Sequence, residues 1–498
     1  MTLPWRPTPR QLSVLRWTLL AVCIARLWLV PLSSSFWVDE MVTVFVVRYP
    51  GHASFAPVPQ VPASIYYWLP RITHQLFGES EFAYRLSSLV AMGLALILIG
   101  RIANRLIHPR AAWFATFACL ALHGINYFAI DARPYALGIC VSSLSIWFLI
   151  RWLDTARWVD GLSFVLAAAF LWRIHLIYWP FYLVFALYAV LRLVRKETKA
   201  HWWQAALLFG LLAASLIPVA LNALYVVHQA SAHVIAELPG FREFEHAIRW
   251  SLVVSCGAGA WIVGRFFRWP VQATHISGSS LILVAAWWLV QPLGLYLFSS
   301  VTGDSAFITR YVSLMLPGAA LMATALSARY IPPDRFQSAA MALGVGGLIL
   351  MGQWTSLAMR HDNSDWRAAA QEEVRLATSK DMPILCLSPF VEARLPIWSP
   401  DYPLPGFLYS HLDYYPLKGK LYLFPFGAAA QDGIGYAEKL TAETLSKSDR
   451  FVIYGANKFW REWFARNPAL QGWKTRLEMF GDVQMAVFDA PAAPARLD

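Results

Sequence analysis

The sequence predicts a polytopic α-helical membrane protein of about eleven transmembrane helices, followed by a small C-terminal extracytoplasmic α/β domain. Three observations carry that prediction. Hydrophobic residues fill 58% of 498 positions and charged residues only 14%, with a mean hydropathy of +0.46. A soluble domain carries about 25% charge, so a soluble chain of this kind would be unable to cover its own surface. Mostly apolar runs of about 18 residues or more, the length that crosses a hydrocarbon core of about 30 Å, recur from the N-terminus to about residue 358. Beyond residue 360 the composition changes, and seven of the nine lysines lie there, from Lys380 to Lys474.

In chain order the expected spans are 12–32, 86–107, 111–128, 134–150, 158–172, 176–194, 203–222, 251–267, 277–299, 311–328 and 337–357. The first carries Arg16 and Arg26 and has no small-residue cleavage site, which reads as a retained span and not a signal peptide. Lys and Arg are unevenly placed along this pattern. Alternate short connections hold sixteen of them, among them Arg101, Arg105, Arg110, Arg192, Arg195, Lys196 and Lys199, against eight in the longer opposite loops. By the positive-inside rule the N-terminus is cytoplasmic, and eleven crossings put the C-terminus outside. The net charge of +11 is thus a matter of topology, with the lipid bilayer as the partner and no nucleic acid. The five cysteines are scattered without metal or disulfide spacing.

Residues 1–358 are read as one transmembrane domain and 359–498 as the second domain. Within the latter, Asp365–Ser379 reads as an amphipathic helix capped by Asn363-Ser364, and Pro383–Leu387, Phe451–Tyr454 and Val483–Phe488 as strands.

The outward loops hold the candidate chemistry. Asp39-Glu40 follows the first span, behind Phe36-Trp37. It is either a solvated acidic loop or a carboxylate in a low-dielectric pocket, suited to act as a base or to ligate Mg²⁺ or Mn²⁺. Asp131, where the third and fourth spans meet, either pairs with Arg133 or faces the same outward cavity; ionisable groups at membrane depth are costly and usually functional. His175 and Arg310-Tyr311 also fall at outer helix ends. His175 is a hydrogen-bonded core residue or a site residue. Arg310 is an interface anchor or a phosphate ligand, through its planar fork of donors.

Several of these segments carry a resemblance. Phe36-Trp-Val-Asp-Glu-Met41 resembles the aromatic-acid-acid motif in the first external loop of C-superfamily (GT-C) membrane glycosyltransferases, specifically the family 39-like branch of protein mannosyltransferases and lipid A aminoarabinose transferases. The likeness continues in order through Ile65-Tyr-Tyr-Trp-Leu-Pro70, Leu76–Ser88, Asp131-Ala-Arg-Pro-Tyr-Ala-Leu137, Arg310-Tyr-Val-Ser-Leu-Met-Leu-Pro317 and Asp365-Trp-Arg-Ala-Ala-Ala370. No single motif is specific, but their order and spacing are. One departure stands out: where the family has His-Pro-Pro-Leu, this chain reads Val61-Pro-Ala-Ser64, which bears on how donor or acceptor is held.

The resemblance implies an inverting transferase that moves a sugar from a polyprenyl-phosphate donor to a hydroxyl acceptor on a lipid, glycan or protein, at the outer membrane face. It implies Asp39 as base and Asp131 as the group that orients the acceptor, or that shares a divalent cation with Asp39. Glu40, Arg133, Tyr135, His175, Arg310 and Tyr311 become the expected substrate-binding residues, with Glu40 also supporting its loop. Arg310 would meet the leaving phosphate. The rival classes are a transporter or flippase, expected to carry acids mid-span and repeated halves, and a catalytically silent membrane scaffold.

Overall fold

A chain inside a bilayer must satisfy its backbone hydrogen bonds internally, so apolar sequence there becomes helix. The computed structural model describes residues 8–230, 237–269, 276–355, 359–377 and 379–491. Seven of its helical stretches are long and apolar enough to cross a membrane: Arg10–Ser33, Glu81–Leu106, Tyr135–Thr155, Leu176–Val194, Trp202–Leu224, Gly278–Thr302 and Thr309–Ala328. Two bent pairs, Ala112–Leu120 with His123–Ala129 and Phe241–Ala247 with Trp250–Phe266, raise the number to as many as nine. The protein is therefore a multi-span membrane protein.

The difference from the expected eleven has identifiable causes. Trp158–Ile174 and Phe336–Met351 are helices of 17 and 16 residues, short of the length for an independent span. The expected span at 111–128 bends by 80°. Leu122 takes an extended conformation at the break, and the Asn126 amide donates to the carbonyls of Leu120 (2.8 Å) and Leu122 (3.3 Å) on either side of it. Trp28 Nε1 in turn donates to Asn126 Oδ1 at 3.0 Å, so the break is fixed from the first span.

The chain divides into two units, Met1–Ser33 with Ser64–Met359, and Ser34–Ala63 with Arg360–Asp498. The first is the helical bundle, with its core made by small and apolar residues such as Ala95, Ile99, Phe117, Ala118 and Leu149. This division differs from the sequence-based one. Residues 34–63, read as a loop of the transmembrane domain, fold with the C-terminal segment. Their polar backbone and side chains find partners there: Tyr415 accepts from the Phe36 N–H at 3.0 Å, and Arg48 meets Asp413 at 2.7 Å.

The second unit holds a five-stranded sheet of β1 (Pro383–Leu387), β2 (Lys420–Phe424), β3 (Arg450–Tyr454), β4 (Lys474–Phe480) and β5 (Val483–Asp489), in the order β2-β1-β3-β5-β4. β1 pairs in parallel with β2 and β3, and β5 is antiparallel to both β3 and β4. One face, with Leu385, Phe424, Phe451, Ile453 and Phe488, is covered by Ile434–Glu443 and Lys458–Ala465 through Leu440, Trp460 and Phe464. The other face meets helix Trp366–Leu376, where Tyr454 Oη donates to the Trp366 carbonyl at 3.2 Å. That helix is capped by Asp365, whose side chain accepts from the Ala368 N–H at 3.0 Å, and not by the expected Asn363-Ser364.

Candidate active site

In the bundle, the predicted residues gather where helices break. Asp131 follows helix His123–Ala129 and Tyr135 opens Tyr135–Thr155. Between them the chain turns tightly, with the Arg133 N–H bonded to the Asp131 carbonyl at 2.7 Å, and the Arg133 carbonyl near Ser88 Oγ at 3.4 Å. Asp131 and Tyr135 are fully buried. His175 ends helix Trp158–Ile174 in an extended conformation and starts a 3₁₀ turn, Leu176–Phe181. Its ring lies among three tyrosines, 6.0 Å from Tyr135, 5.6 Å from Tyr178 and 5.3 Å from Tyr311.

Arg310 and Tyr311 sit on a second 3₁₀ segment, Thr309–Met315. The Arg310 guanidinium lies 5.6 Å over the Tyr311 ring, and Arg133 and Arg310 are the charged groups that act on the His175 imidazole. The buried phenol of Tyr66 lies within electrostatic reach of Asp131 and Arg133. The bundle thus brings together Asp131, Arg133, Tyr135, His175, Arg310 and Tyr311: one buried carboxylate, two guanidinium groups, an imidazole and aromatic walls. Such a set is chemically suited to an anionic, partly apolar ligand such as a lipid phosphate.

Four residues that sequence reading passed over support this cluster. Tyr178 Oη and Ser313 Oγ meet at 3.4 Å, and Gln291 carries the Arg310 segment from below. Ser64, in the segment that departs from His-Pro-Pro-Leu, donates to the Ile174 carbonyl at 2.6 Å, one residue before His175. Gln291 had a signal, a polar amide in the apolar run Trp287-Trp-Leu-Val-Gln-Pro292.

Asp39 and Glu40 fold in the other unit, in the first turn of helix Val38–Arg48. Carboxylates are favoured there by the helix dipole. Glu40 is fully buried, and its carboxylate accepts from the Trp37 N–H at 3.3 Å, closing the helix start. A Glu40 oxygen and a His361 ring nitrogen come within 4.8 Å, a donor pair of the type that holds divalent cations. His361 was not anticipated from sequence. Asp39 is half-buried, and its charge is felt by Glu392 in the loop after β1; burial first, and the Asp39 charge among the lesser causes, push the Glu392 carboxyl above its ordinary range.

Comparisons with known proteins bear on the family and the fold. Residues 61–219 match the family model described as dolichyl-phosphate-mannose-protein mannosyltransferase. The crystal structure of ArnT from Cupriavidus metallidurans bound to undecaprenyl phosphate aligns with 96% of this chain and 99% of its own, at a TM-score of 0.53 and 11% identity. The apo structure of the same protein aligns with 96% and 98%, at 0.55 and 12%. The chain therefore shares its fold with ArnT. At such identities the likeness to ArnT is one of fold. No curated protein matches the chain in sequence. The resemblance expected from the ordered motifs is borne out by the family match and by the fold.

Proposed function

We propose that this protein is an inverting glycosyltransferase that moves a sugar from a polyprenyl-phosphate donor to a hydroxyl acceptor at the outer face of the membrane. The observation that carries the reading is the Asp131–Arg133–His175–Arg310 cluster, much of which lies inside the segment that matches the mannosyltransferase family. The undecaprenyl phosphate of the ArnT structure supports a lipid-phosphate ligand for a fold of this kind.

In the reaction, the acceptor oxygen bonds to the anomeric carbon from the face opposite the phosphate. The carbon–oxygen bond to phosphate breaks, its electron pair stays on the phosphate oxygen, and the configuration inverts. Asp39 takes the acceptor proton. Arg310 and Arg133 stabilise the negative charge that grows on the departing phosphate, which is the largest electrostatic demand of the step. Asp131 orients the acceptor, and the Tyr135, Tyr178 and Tyr311 rings give the sugar and prenyl head an aromatic wall. A divalent cation, which the resemblance allows on Asp39 and Asp131, would supply Lewis-acid help at the phosphate. The excess of basic residues in alternate short connections supports a cytoplasmic N-terminus and an extracytoplasmic C-terminus for a chain in the inner or plasma membrane.

The test is transfer by the purified protein in nanodiscs supplied with polyprenyl-phosphate sugars, read as release of polyprenyl phosphate and as the anomeric configuration of the product. Asp39→Asn should slow transfer by about 10²–10⁴-fold, with Asp131→Asn also impaired and Glu40→Gln milder. Near-normal transfer by Asp39→Asn at matched protein, or a retained configuration, would refute the mechanism.

A further inference from the structure

The helix that bears Asp39 is held at both ends by one short stretch of the C-terminal segment. At its entry, the buried Phe36 N–H donates to Tyr415 Oη at 3.0 Å, and Ser35 Oγ approaches the same hydroxyl at 3.4 Å. At its exit, Arg48 Nη1 donates to Asp413 Oδ2 at 2.7 Å and to the Asp413 carbonyl at 3.1 Å. Tyr49 Oη takes the other carboxylate oxygen at 3.0 Å. Between these two anchors Tyr414 fills the gap, its ring 5.0 Å from Phe36 and 5.2 Å under the Arg48 guanidinium. Three consecutive residues, Asp413, Tyr414 and Tyr415, therefore span the whole length of Val38–Arg48.

We infer that Asp413 and Tyr415 are positioning residues, which fix the rotation and height of helix Val38–Arg48 and so aim the Asp39 carboxylate. The inference rests on the proposed role of Asp39 as base. An eleven-residue helix is marginal by itself, and its orientation comes from packing and from its end contacts. Asp413 is the strong contact, since an arginine–carboxylate pair that is largely shielded from water is both directional and hard to replace. Tyr415 satisfies a buried N–H at the point where the chain enters the helix, where an unsatisfied donor is costly. Catalytic groups lose rate steeply when displaced by as little as about 1 Å. A domain with these two anchors thus serves the reaction without touching the reacting atoms.

The experiment uses the full chain in nanodiscs, with Tyr415→Phe, Asp413→Ala and Asp413→Glu. Hydrogen–deuterium exchange of residues 34–49 is measured against β1 and β3 as internal references. Expected is exchange at least tenfold faster in 34–49 for Tyr415→Phe and Asp413→Ala, with the two strands unchanged and Asp413→Glu closer to wild type. For transfer from the polyprenyl donor, kcat should fall tenfold or more while KM for the donor stays within twofold, and Asp413→Glu should recover part of kcat. Unchanged exchange in 34–49 for both variants overturns the inference, as does a loosened segment with undiminished kcat. Tyr415→Phe keeps the ring and removes one oxygen, so it remains informative if Asp413→Ala fails to fold. A wild type inactive with every polyprenyl donor sinks the proposed reaction, while the exchange data still decide whether the helix is held as described.

Discussion

The side-chain amide of Gln291 donates to the backbone carbonyl of Tyr311 at 2.9 Å, and its oxygen accepts from the Leu314 N–H at 3.1 Å. Gln291 is fully buried in helix Gly278–Thr302, and the groups it satisfies belong to the 3₁₀ segment that bears Arg310 and Tyr311. A 3₁₀ segment leaves backbone groups without helical partners, and in an apolar bundle these need a side chain. Gln291→Leu removes both bonds and leaves a carbonyl and an N–H buried. We expect a loss of about 1–3 kcal/mol in stability and a larger fall in transfer than in the amount of folded protein. Thermal unfolding and transfer assayed on the same preparation would check this; equal wild-type and variant activity per folded molecule would speak against the role.

A second prediction concerns helix connections elsewhere in the bundle. Asp154 bridges Arg105 of Glu81–Leu106 (2.8 Å) and Arg192 of Tyr182–Val194 (2.9 Å), while Arg192 Nη1 also donates to Tyr188 at 2.7 Å. Asp154→Ala leaves two guanidinium groups facing one another without their shared carboxylate. With Arg192 largely buried and Arg105 half-exposed, the expected cost is ~2 kcal/mol, between exposed-pair and buried-pair values. A lowered melting temperature in detergent should accompany unaltered product stereochemistry.

Acid should destabilise the second unit through His411. The residue is 1% exposed, among Trp366 (4.9 Å), Tyr409 (6.3 Å) and Tyr454, on which it stacks at 6.0 Å, and neither ring nitrogen has a hydrogen-bond partner among the described residues. Burial holds its pKa down at about 3, against 6.5 for an ordinary histidine. Because the folded-state value lies below the unfolded one, the neutral ring contributes stability that is present above pH 6.5. That stability is lost as pH falls through 6.5 toward 3, by up to about 1.4 kcal/mol per pH unit. Glu373, whose carboxyl burial pushes up, acts in the opposite sense near its own range but is common to both proteins. His411→Phe should therefore flatten the acid limb of thermal stability between pH 7 and 5. An unchanged slope would show that His411 does not titrate with unfolding.

Spans, acids and strands with strong periodic patterns were legible in sequence, and the reasons for the rest are local. β1, β3 and β5 are short apolar runs, buried over most of their length, and were found as such. β4 is an edge strand with an exposed pattern, Lys-Thr-Arg-Leu-Glu-Met-Phe, and β2 begins at an exposed lysine, so neither announced itself by burial. The bend near Ala121 depends on Asn126 meeting carbonyls four and six residues back, which hydropathy does not register. Asp39, Asp131 and Arg310 drew notice because charge near a membrane is costly. His361, Asp413 and Tyr415 did not, because in a polar segment a His, an Asp or a Tyr is unremarkable until its partners are known.

The last prediction tests the close approach of two helices behind the Arg310 segment. Gly318, in Leu316–Ala328, lies against the backbone of Gly278–Thr302. A Cβ built at Gly318 would meet the Trp288 backbone nitrogen and approach the Trp287 carbonyl carbon to 2.7 Å. Both neighbours are main chain, so neither can turn aside as a long side chain would. Small residues at such crossings let helix backbones approach and gain dispersion contacts that lipid tails would otherwise supply. Trp287 Nε1 also donates to the Leu314 carbonyl at 2.8 Å, so the same crossing fixes the end of the 3₁₀ segment. Gly318→Ala should force the helices apart by a few tenths of an ångström or more, costing at least about 1–3 kcal/mol as overpacking. Gly318→Val should be worse. Gly346, in helix Phe336–Met351 with nothing near its built Cβ, should accept alanine at little cost and serves as the control. Melting temperatures of the three variants in one detergent would decide it, and a Gly318→Ala protein as stable as the Gly346→Ala protein would mean that the crossing is looser than described.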